Sequence, residues 1–344
     1  MAEFGDLTDD VMTSRELVRR TLAFDAPCRV PRQLWVLPWA EHHYPGPLQE
    51  IRRLYPDDIV SSPAFLKEEL PTKGDCHEVG TFTDEWGCVF ENLQRGVIGE
   101  VRSPQLLDWS QVDLVRIPKE RLSVDTARVD RFCRGTEQFV LAGACPRPFE
   151  RLQFLRGTEN TFYDLMDQPA ELPVLLERMH RFYLEELDLW AKTAVDGLTI
   201  MDDWGSQYSM LISPDLWRRM FKPLYREYIE IAHAHGKPMF MHSDGYIADI
   251  LEDLVELGLD AINCQVFCMD VARLGERFGG RITFWGELDR QQILPSASRE
   301  EVFAAAGRMK RAFDRGGGLI AQCEFGPSAR PENVRTFFEA FVGG

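Results

Sequence analysis

The sequence predicts an α/β protein of the (β/α)8-barrel type, because eight short apolar runs alternate with amphipathic helices and polar side chains follow several runs. Strands separated by helices pair in parallel, and eight of them favour a closed barrel over an open sheet. Helical periodicity lies between several of the runs, at residues 171–191, 215–235, 248–257 and 299–313. The predicted strands cover residues 33–37, 58–62, 139–143, 197–201, 238–242, 261–265, 282–286 and 319–322.

Two segments lie outside this alternation. Residues Thr13 to Glu16 have the pattern of a helix start, and this N-terminal helical extension is predicted to run through Phe24, before two prolines end it. Residues 78–102 are predicted to form a β-hairpin inserted over one end of the barrel, with strands 80–83 and 87–90 and residues 91–92 near its turn. A pair of edge strands without a functional role is the alternative. The whole chain, 1–344, is predicted to be one domain.

Charge and cysteine usage limit the partners and the compartment. The 344 residues include 39 Lys and Arg and 55 Asp and Glu, which gives a net charge of −16 and makes nucleic acid and anionic membranes improbable partners. Eight scattered cysteines form no Cys-x-x-Cys pair, and the first 20 residues are charged rather than apolar. We therefore expect a cytoplasmic protein with reduced thiols and no membrane span.

Acidic and imidazole side chains follow the fourth and fifth predicted strands. Asp202 and Asp203 are adjacent, so only one of them can face the barrel mouth, as a catalytic base, a ligand or a substrate anchor, while the other caps a helix or loop. His242 and Asp244 are two residues apart and point the same way on an extended chain. That spacing fits two ligands of one metal, or a histidine oriented by an acid.

The last three strands supply further candidates. Gln265 is placed to hydrogen-bond a substrate. Glu287 is a candidate catalytic acid–base group or substrate anchor, and it follows a glycine that lets the backbone approach a ligand closely. Cys323 and Glu324 follow the eighth strand and would complete a mixed nitrogen, sulfur and oxygen site with His242. Zinc is the metal that such ligands fit best.

Several motifs resemble those of the uroporphyrinogen decarboxylase superfamily over nearly the whole chain. The resemblance implies a distorted TIM-type barrel with its active cleft at the strand C-termini, and a homodimer. The motifs are 14–16 with 29–32, Asp202-Asp203-Trp204-Gly205, His242-Ser243-Asp244-Gly245 and Phe284-Trp285-Gly286-Glu287.

One branch of that superfamily contains zinc methyltransferases that exchange methyl groups with a corrinoid protein. The resemblance to this branch implies that His242 is the motif histidine, that Asp244 replaces its first cysteine, and that Cys323 or Glu324 stands at its last cysteine. It also implies a zinc ion, a small methyl donor or acceptor, and a corrinoid supplied by a partner protein.

The other branch contains metal-free decarboxylases of porphyrinogens, and it remains the alternative. The resemblance places Asp58 at the catalytic acid of those enzymes. Against this branch, the segment 35–44 offers no arginine for a polyanionic substrate. We expect its aromatic and imidazole side chains, together with one tryptophan after the fourth strand, to wall a substrate pocket; these residues are Trp35, Trp39, His43, Tyr44 and Trp204.

Overall fold

The computed structural model describes residues 12–342. Eleven strands are present in this part of the chain. They are β1 (Arg32–Val36), β2 (Ile59–Ser61), β3 (Gly80–Thr83), β4 (Val89–Asn92), β5 (Glu100–Ser103), β6 (Phe139–Leu141), β7 (Leu198–Met201), β8 (Met239–Ser243), β9 (Ala261–Cys264), β10 (Thr283–Trp285) and β11 (Leu319–Phe325).

Fourteen α-helices surround or connect these strands within the same residues. They are α1 (Ser14–Leu22), α2 (Pro38–His43), α3 (Pro45–Leu54), α4 (Thr126–Arg134), α5 (Pro148–Arg156), α6 (Thr158–Asp167), α7 (Glu171–Ala191), α8 (Pro214–Met220), α9 (Lys222–Ala234), α10 (Leu251–Glu256), α11 (Val271–Phe278), α12 (Ile293–Ser296), α13 (Arg299–Phe313) and α14 (Pro331–Glu339). Three short 3-10 segments cover Trp109–Leu114, Lys119–Leu122 and Val266–Cys268.

Eight parallel strands form a distorted (β/α)8 barrel, as the sequence predicts. Six of them make one curled sheet in the order β1-β11-β10-β9-β8-β7, and β2 pairs with β6. Contacts outside the regular ladders join the two parts: Asp58 N donates to Arg32 O over 2.9 Å, and on the other side Asp196 N donates to Val140 O over 2.7 Å and Ala142 N to Gly197 O over 2.9 Å. The barrel is therefore closed but irregular on the side of β2 and β6.

Strand alternation separates an inner from an outer core. Phe240, Trp285 and Ile320 lie in the small apolar cluster inside the barrel, while Cys323 and Leu34 belong to the larger cluster between strands and helices. Because successive side chains of a strand point to opposite faces, these assignments fix the direction of every neighbour along each strand.

Helix α1 closes the N-terminal end of the barrel. Its Val18 joins the inner cluster, and Arg15 and Arg19 pair with Asp196, two residues before β7. Thr13 caps the helix by accepting from the amide of Glu16, as the sequence pattern indicates. The predicted extension to Phe24 is wrong by two residues, since the helix ends at Leu22.

The insertion at residues 78–102 is a three-stranded antiparallel sheet, β3-β4-β5, rather than a hairpin. Its first turn lies at 84–88, where Asp84 accepts from the amides of Trp86 and Cys88, so residues 91–92 precede the second turn. In that second turn, Gly96 accepts from the amide of Trp39 on α2, directly after β1. The insertion thus contacts the C-terminal end of the barrel.

The long helices agree with the sequence pattern. Those predicted at 171–191 and 299–313 are α7 and α13, whereas 215–235 is divided into α8 and α9 at Phe221, just before Pro223. The helix predicted at 248–257 is shorter, as α10. Within residues 12–342, no helix combines the length and the apolar character that crossing a bilayer requires.

Candidate active site

His242, at the C-terminal end of β8, is held in one tautomer by a chain of amide hydrogen bonds. Its Nδ1 lies 2.6 Å from Oδ1 of Asn263, which is its partner on β9. The amide nitrogen of Asn263 donates to Oε1 of Gln322 over 2.9 Å and to the carbonyl of Trp285, so its oxygen must accept. In the neutral imidazole, Nδ1 of His242 therefore carries the proton, and Nε2, which faces the barrel mouth, has the lone pair.

Two carboxylates face that lone pair. Asp203 Oδ1 lies 3.6 Å and Asp244 Oδ1 lies 3.5 Å from Nε2 of His242, and one ligand atom from each residue falls within 4.8 Å of the others. Burial, and then the charge of Asp244, raise the pKa of Asp203, so a cation between the carboxylates would relieve their repulsion. One imidazole nitrogen and two carboxylate oxygens form a donor set suited to a divalent ion.

The adjacent acids after β7 have different roles, as strand alternation predicts. Asp203 points to His242, whereas Asp202 is fully buried on the outer face. There Asp202 accepts from the amides of Phe149 and Glu150, at the start of α5, and from the hydroxyl of Tyr225. Asp202 is the capping member of the pair, so its predicted catalytic role is wrong.

Arg290 is the principal cation of the mouth, and no pattern in the sequence indicated it. Its guanidinium contacts Asp244, Glu287 (3.1 Å) and Glu324 (3.2 Å). The structure thus brings Glu287 and Glu324 to the edge of the His242 cluster, with Arg290 between them and Asp244.

Glu287 is buried without a hydrogen bond from any residue in the range 12–342. The residue is 1% exposed, and neither carboxyl oxygen has a partner with hydrogen-bond geometry, although Nε of Arg290 is near Oε1. Burial raises the pKa of Glu287 to about 8, against the lowering effect of Arg290.

Cys323 does not reach the cluster, and its prediction as a metal ligand is wrong. Gln322 points into the barrel to Asn263, so Cys323, the next residue on β11, points outward into the core beneath the helices. Burial raises the pKa of its thiol well above the ordinary value. Glu324 returns to the inner face, where it pairs with Arg290 rather than joining Asp203, His242 and Asp244.

Asp58 lies at the opposite end of the barrel, so its predicted catalytic role is also wrong. It immediately precedes β2 and accepts two hydrogen bonds of 2.7 Å from Arg29, together with one each from Ser14 and the amide of Arg32. These contacts join α1 to the first two strands and are structural.

The predicted aromatic wall is only partly realised. The ring centroid of Trp35 lies 5.2 Å from that of His242, so Trp35 adjoins the cluster. Trp39 and His43 stack on α2 with their ring centroids 4.1 Å apart. The ring centroid of Tyr44, directly after the helix, lies 5.8 Å from that of Trp39. These three residues form a separate group beyond the end of β1.

Trp204 is a core residue instead of a pocket residue. It is fully buried, stacks on Phe149 with centroids 4.2 Å apart, and donates to the hydroxyl of Tyr225. Its prediction as a substrate contact is wrong, because the turn after β7 folds back under α5 and α9.

Two cavities open near the strand ends. One of about 1130 Å³ lies between the inserted sheet, α5 and α7, and reaches Met201 at the end of β7. The other, of about 540 Å³, is lined by Gln265, Glu287 and Arg290, among others. Gln265 donates to Asp244 over 3.3 Å, which places this predicted substrate residue beside the cluster.

A second group of possible metal ligands lies elsewhere in the described residues. Asp75, Cys76 and His77 are consecutive in the loop before β3 and are partly exposed. Only the group around His242 joins side chains from separate strand ends.

The match to a known sequence family includes all of these strand ends from β6 onward. Residues 87–342, well over half of the chain, match the family described as uroporphyrinogen decarboxylase (URO-D). The chain belongs to the uroporphyrinogen decarboxylase family. Within this family match lie Asp203, His242, Asp244, Asn263 and Arg290; β1, β2 and the aromatic group on α2 precede it.

Two curated relatives match this chain at low sequence identity. The chain is 25% identical over 210 residues to the uroporphyrinogen decarboxylase of Hamiltonella defensa and 20% identical over 204 residues to that of Shewanella denitrificans. In both cases the match covers 59% of this chain and 54% of the relative, so the chain spans about half the length of these curated relatives. A methyltransferase from Methanosarcina mazei shares the fold, with a TM-score of 0.66, 17% identity, and 96% of this chain and 98% of that chain covered.

Proposed function

We propose that this protein is a methyltransferase that uses a divalent metal ion, such as zinc, to move a methyl group between a small substrate and a corrinoid protein or another acceptor. The observation that carries the proposal is the lone pair of His242 Nε2, directed at Asp203 and Asp244 by the hydrogen bond from Nδ1 to Asn263. A histidine that binds a metal through one nitrogen usually donates the other N–H to an oxygen, as here.

His242, Asp203 and Asp244 would hold the ion, and when bound it supplies Lewis acidity to the heteroatom that carries the methyl group. The acceptor on Asn263 keeps the proton of the neutral imidazole on Nδ1, and the amide of Asp244 donates to Asp203 over 2.9 Å, which fixes that carboxylate beside the imidazole. The ring of Trp35 lies against the imidazole, with the two ring centroids 5.2 Å apart. The three proposed ligands include no thiolate. The site therefore offers harder donor atoms to a metal than a site with two cysteines does.

The charges around the cavities favour this function over decarboxylation of a porphyrinogen. Every arginine that lines either cavity already contacts a carboxylate, for example Arg147 with Glu150 at 2.9 Å and Arg121 with Glu186 at 2.7 Å. Except for the exposed pair of Arg102 and Glu100, these acids are held in partly or fully buried pairs, which a substrate with several carboxylates would have to displace.

Decarboxylation of a uroporphyrinogen-like substrate is the second candidate. The two curated relatives bear that name, and the match to them covers more than half of this chain. The likeness to the methyltransferase from Methanosarcina mazei, at 17% identity, concerns the fold alone. Methyl transfer is therefore supported by the His242 cluster and not by this likeness.

An assay in two parts separates the candidates. Protein loaded with zinc is incubated with reduced Co(I) cobalamin and a panel of small methyl ethers and methylamines, and methylation of the cobalt is followed by its absorption spectrum. We expect transfer that a chelator abolishes and that His242→Ala lacks. Release of CO2 from uroporphyrinogen, without metal and unchanged in His242→Ala, would contradict the proposal and support the second candidate.

A further inference from the structure

The smaller cavity lies directly beside the proposed metal site, and four of its ten lining residues are glutamines. We call it the amide cavity; its lining residues are Gln207, Tyr208, Gln265, Phe267, Cys268, Glu287, Asp289, Arg290, Gln291 and Gln292. Gln265 connects the two sites, because it donates to Asp244 over 3.3 Å and accepts from Gln207 over 2.6 Å. A molecule in the amide cavity would therefore lie next to Asp244.

Glu287 gives this cavity an unused hydrogen-bonding group. Both carboxyl oxygens are buried and accept no hydrogen bond from residues 12–342, because Nε of Arg290, 3.1 Å from Oε1, lacks hydrogen-bond geometry. A buried carboxyl without donors is costly, and native proteins usually satisfy such groups with a partner, water or a ligand. The side chain that most needs a partner thus lines an open cavity of about 540 Å³.

The charge of the region calls for a cationic partner. Glu287 and Asp289 line the cavity, and Asp244 and Glu324 adjoin it through their contacts with Arg290. Arg290 is the single basic residue in the lining, and its guanidinium is already shared among three acids. Even with a divalent ion on Asp203 and Asp244, the acids of this region exceed the positive charges, so an anion would be repelled here.

We propose that the amide cavity binds a protonated amino group of the substrate, with Glu287 accepting its hydrogen bonds. This inference depends on the proposed function only in taking the bound molecule to be the methyl substrate. A primary ammonium group has three N–H donors and a positive charge, and so matches both needs of Glu287. It would also supply the opposite charge that stabilises the carboxylate form of a side chain whose pKa burial raises.

The remaining walls fit the same ligand class. The glutamine side chains offer carbonyl oxygens to further N–H groups, and the ring of Tyr208, 90% exposed at the cavity, offers an aromatic face to a cation. The substrate class is therefore a small amine that carries its methylated oxygen, nitrogen or sulfur within a few bonds of the amino group, so that the heteroatom lies near Asp244.

Matched small probes test this assignment on the full chain without metal. Binding of 2-methoxyethylammonium and of its neutral analogue 2-methoxyethanol is measured by ligand-observed NMR titration at neutral pH, with the wild type, Glu287→Gln and the surface control Glu276→Gln. Glu276 is exposed on α11 and lines neither cavity. We expect the ammonium probe to bind at least about tenfold more tightly than the alcohol, as is typical when a buried charged group gains its partner.

The same preference should disappear in Glu287→Gln and persist in Glu276→Gln. Equal binding of the two probes by the wild type, or an unchanged preference in Glu287→Gln, would overturn the inference. A variant that is folded by circular dichroism is required for the comparison, and removal of a buried carboxyl that accepts no hydrogen bond from the described residues should make Glu287→Gln more stable rather than less. Because no metal or turnover enters this test, it can succeed if the proposed methyl transfer fails, and the reverse.

Discussion

Nδ1 of His242 and Oδ1 of Asn263 are 2.6 Å apart, at paired positions of neighbouring strands β8 and β9. Asn263 connects this contact to two further strands, because its amide nitrogen donates to Gln322 on β11 and to the carbonyl of Trp285 on β10. Four strands of the barrel thus determine the direction of one imidazole lone pair. The metal affinity of the site should depend on this network as well as on the ligands themselves.

Asn263→Ala should weaken divalent metal binding by about 10- to 100-fold, because His242 loses the acceptor that holds its tautomer and ring direction. The measurement is a titration of metal-free protein with zinc in the presence of a competing chelator. Asn263→Asp is the matched control: it retains an acceptor for Nδ1 and should bind more tightly than the alanine variant. Equal affinities of Asn263→Ala and the wild type would show that the contact has no role in the site.

Substitutions of the adjacent acids Asp202 and Asp203 should have different effects, one on metal binding and the other on stability. Asp203→Asn should lower metal affinity with little effect on thermal stability. Asp202→Ala should preserve metal affinity but lower the free energy of unfolding by about 2 kcal/mol, since it leaves two amides and the Tyr225 hydroxyl without their buried acceptor. Chelator titration and denaturant unfolding of both variants check this, and the reverse pattern would contradict the assignment of the pair.

Cys323→Ala should leave metal affinity unchanged. Its thiol lies in the outer core beneath the helices, so truncation should cost about 1 kcal/mol of stability through a small cavity. Zinc titration together with denaturant unfolding measures both effects. A large loss of zinc affinity in a folded Cys323→Ala protein would restore the cysteine to the ligand set.

Glu287 should make the stability of the metal-free protein fall as pH rises. Its pKa is about 8 in the folded state and ordinarily 4.5, so between these values the folded state binds more protons than the unfolded state. The free energy of unfolding then falls with rising pH, by at most about 1.4 kcal/mol per pH unit from this group, and the stabilising contribution is lost as pH passes about 8.

Glu287→Gln cannot ionise, so it should lose this part of the pH dependence. Its melting temperature should exceed that of the wild type by more at about pH 9 than at about pH 5. If the difference in melting temperature between the two proteins did not change with pH across this range, the Glu287 carboxyl would not be held protonated in the folded protein.

Most of the architecture could be predicted from local signals. Apolar runs and helical periodicity identify the barrel strands and the helices α7 and α13, because burial imposes those patterns along the chain itself. The adjacent acids after β7 were also predictable as an inward and an outward residue. The outward direction of the Cys323 side chain was not predictable, because a shift of one residue along β11 moves a side chain to the opposite face of the sheet.

The errors and omissions at the site have spatial causes. Asp58 is the first residue of its predicted strand, and strand direction alone places it at the N-terminal end, against the family resemblance. Asn263 could have been found from alternation, since it points inward like Ala261 and pairs with His242. Arg290 could not, because its meeting with Asp244 and Glu324 depends on the path of the loop after β10.

The most direct test of the account is metal stoichiometry after complete removal and reloading. Wild-type protein and His242→Ala are stripped with a chelator, reloaded with zinc, freed of excess ion and analysed by inductively coupled plasma mass spectrometry. If His242 is a ligand, we expect about one ion per wild-type chain and almost none in a folded His242→Ala protein. Equal metal content in the two proteins, or none in either, would contradict it.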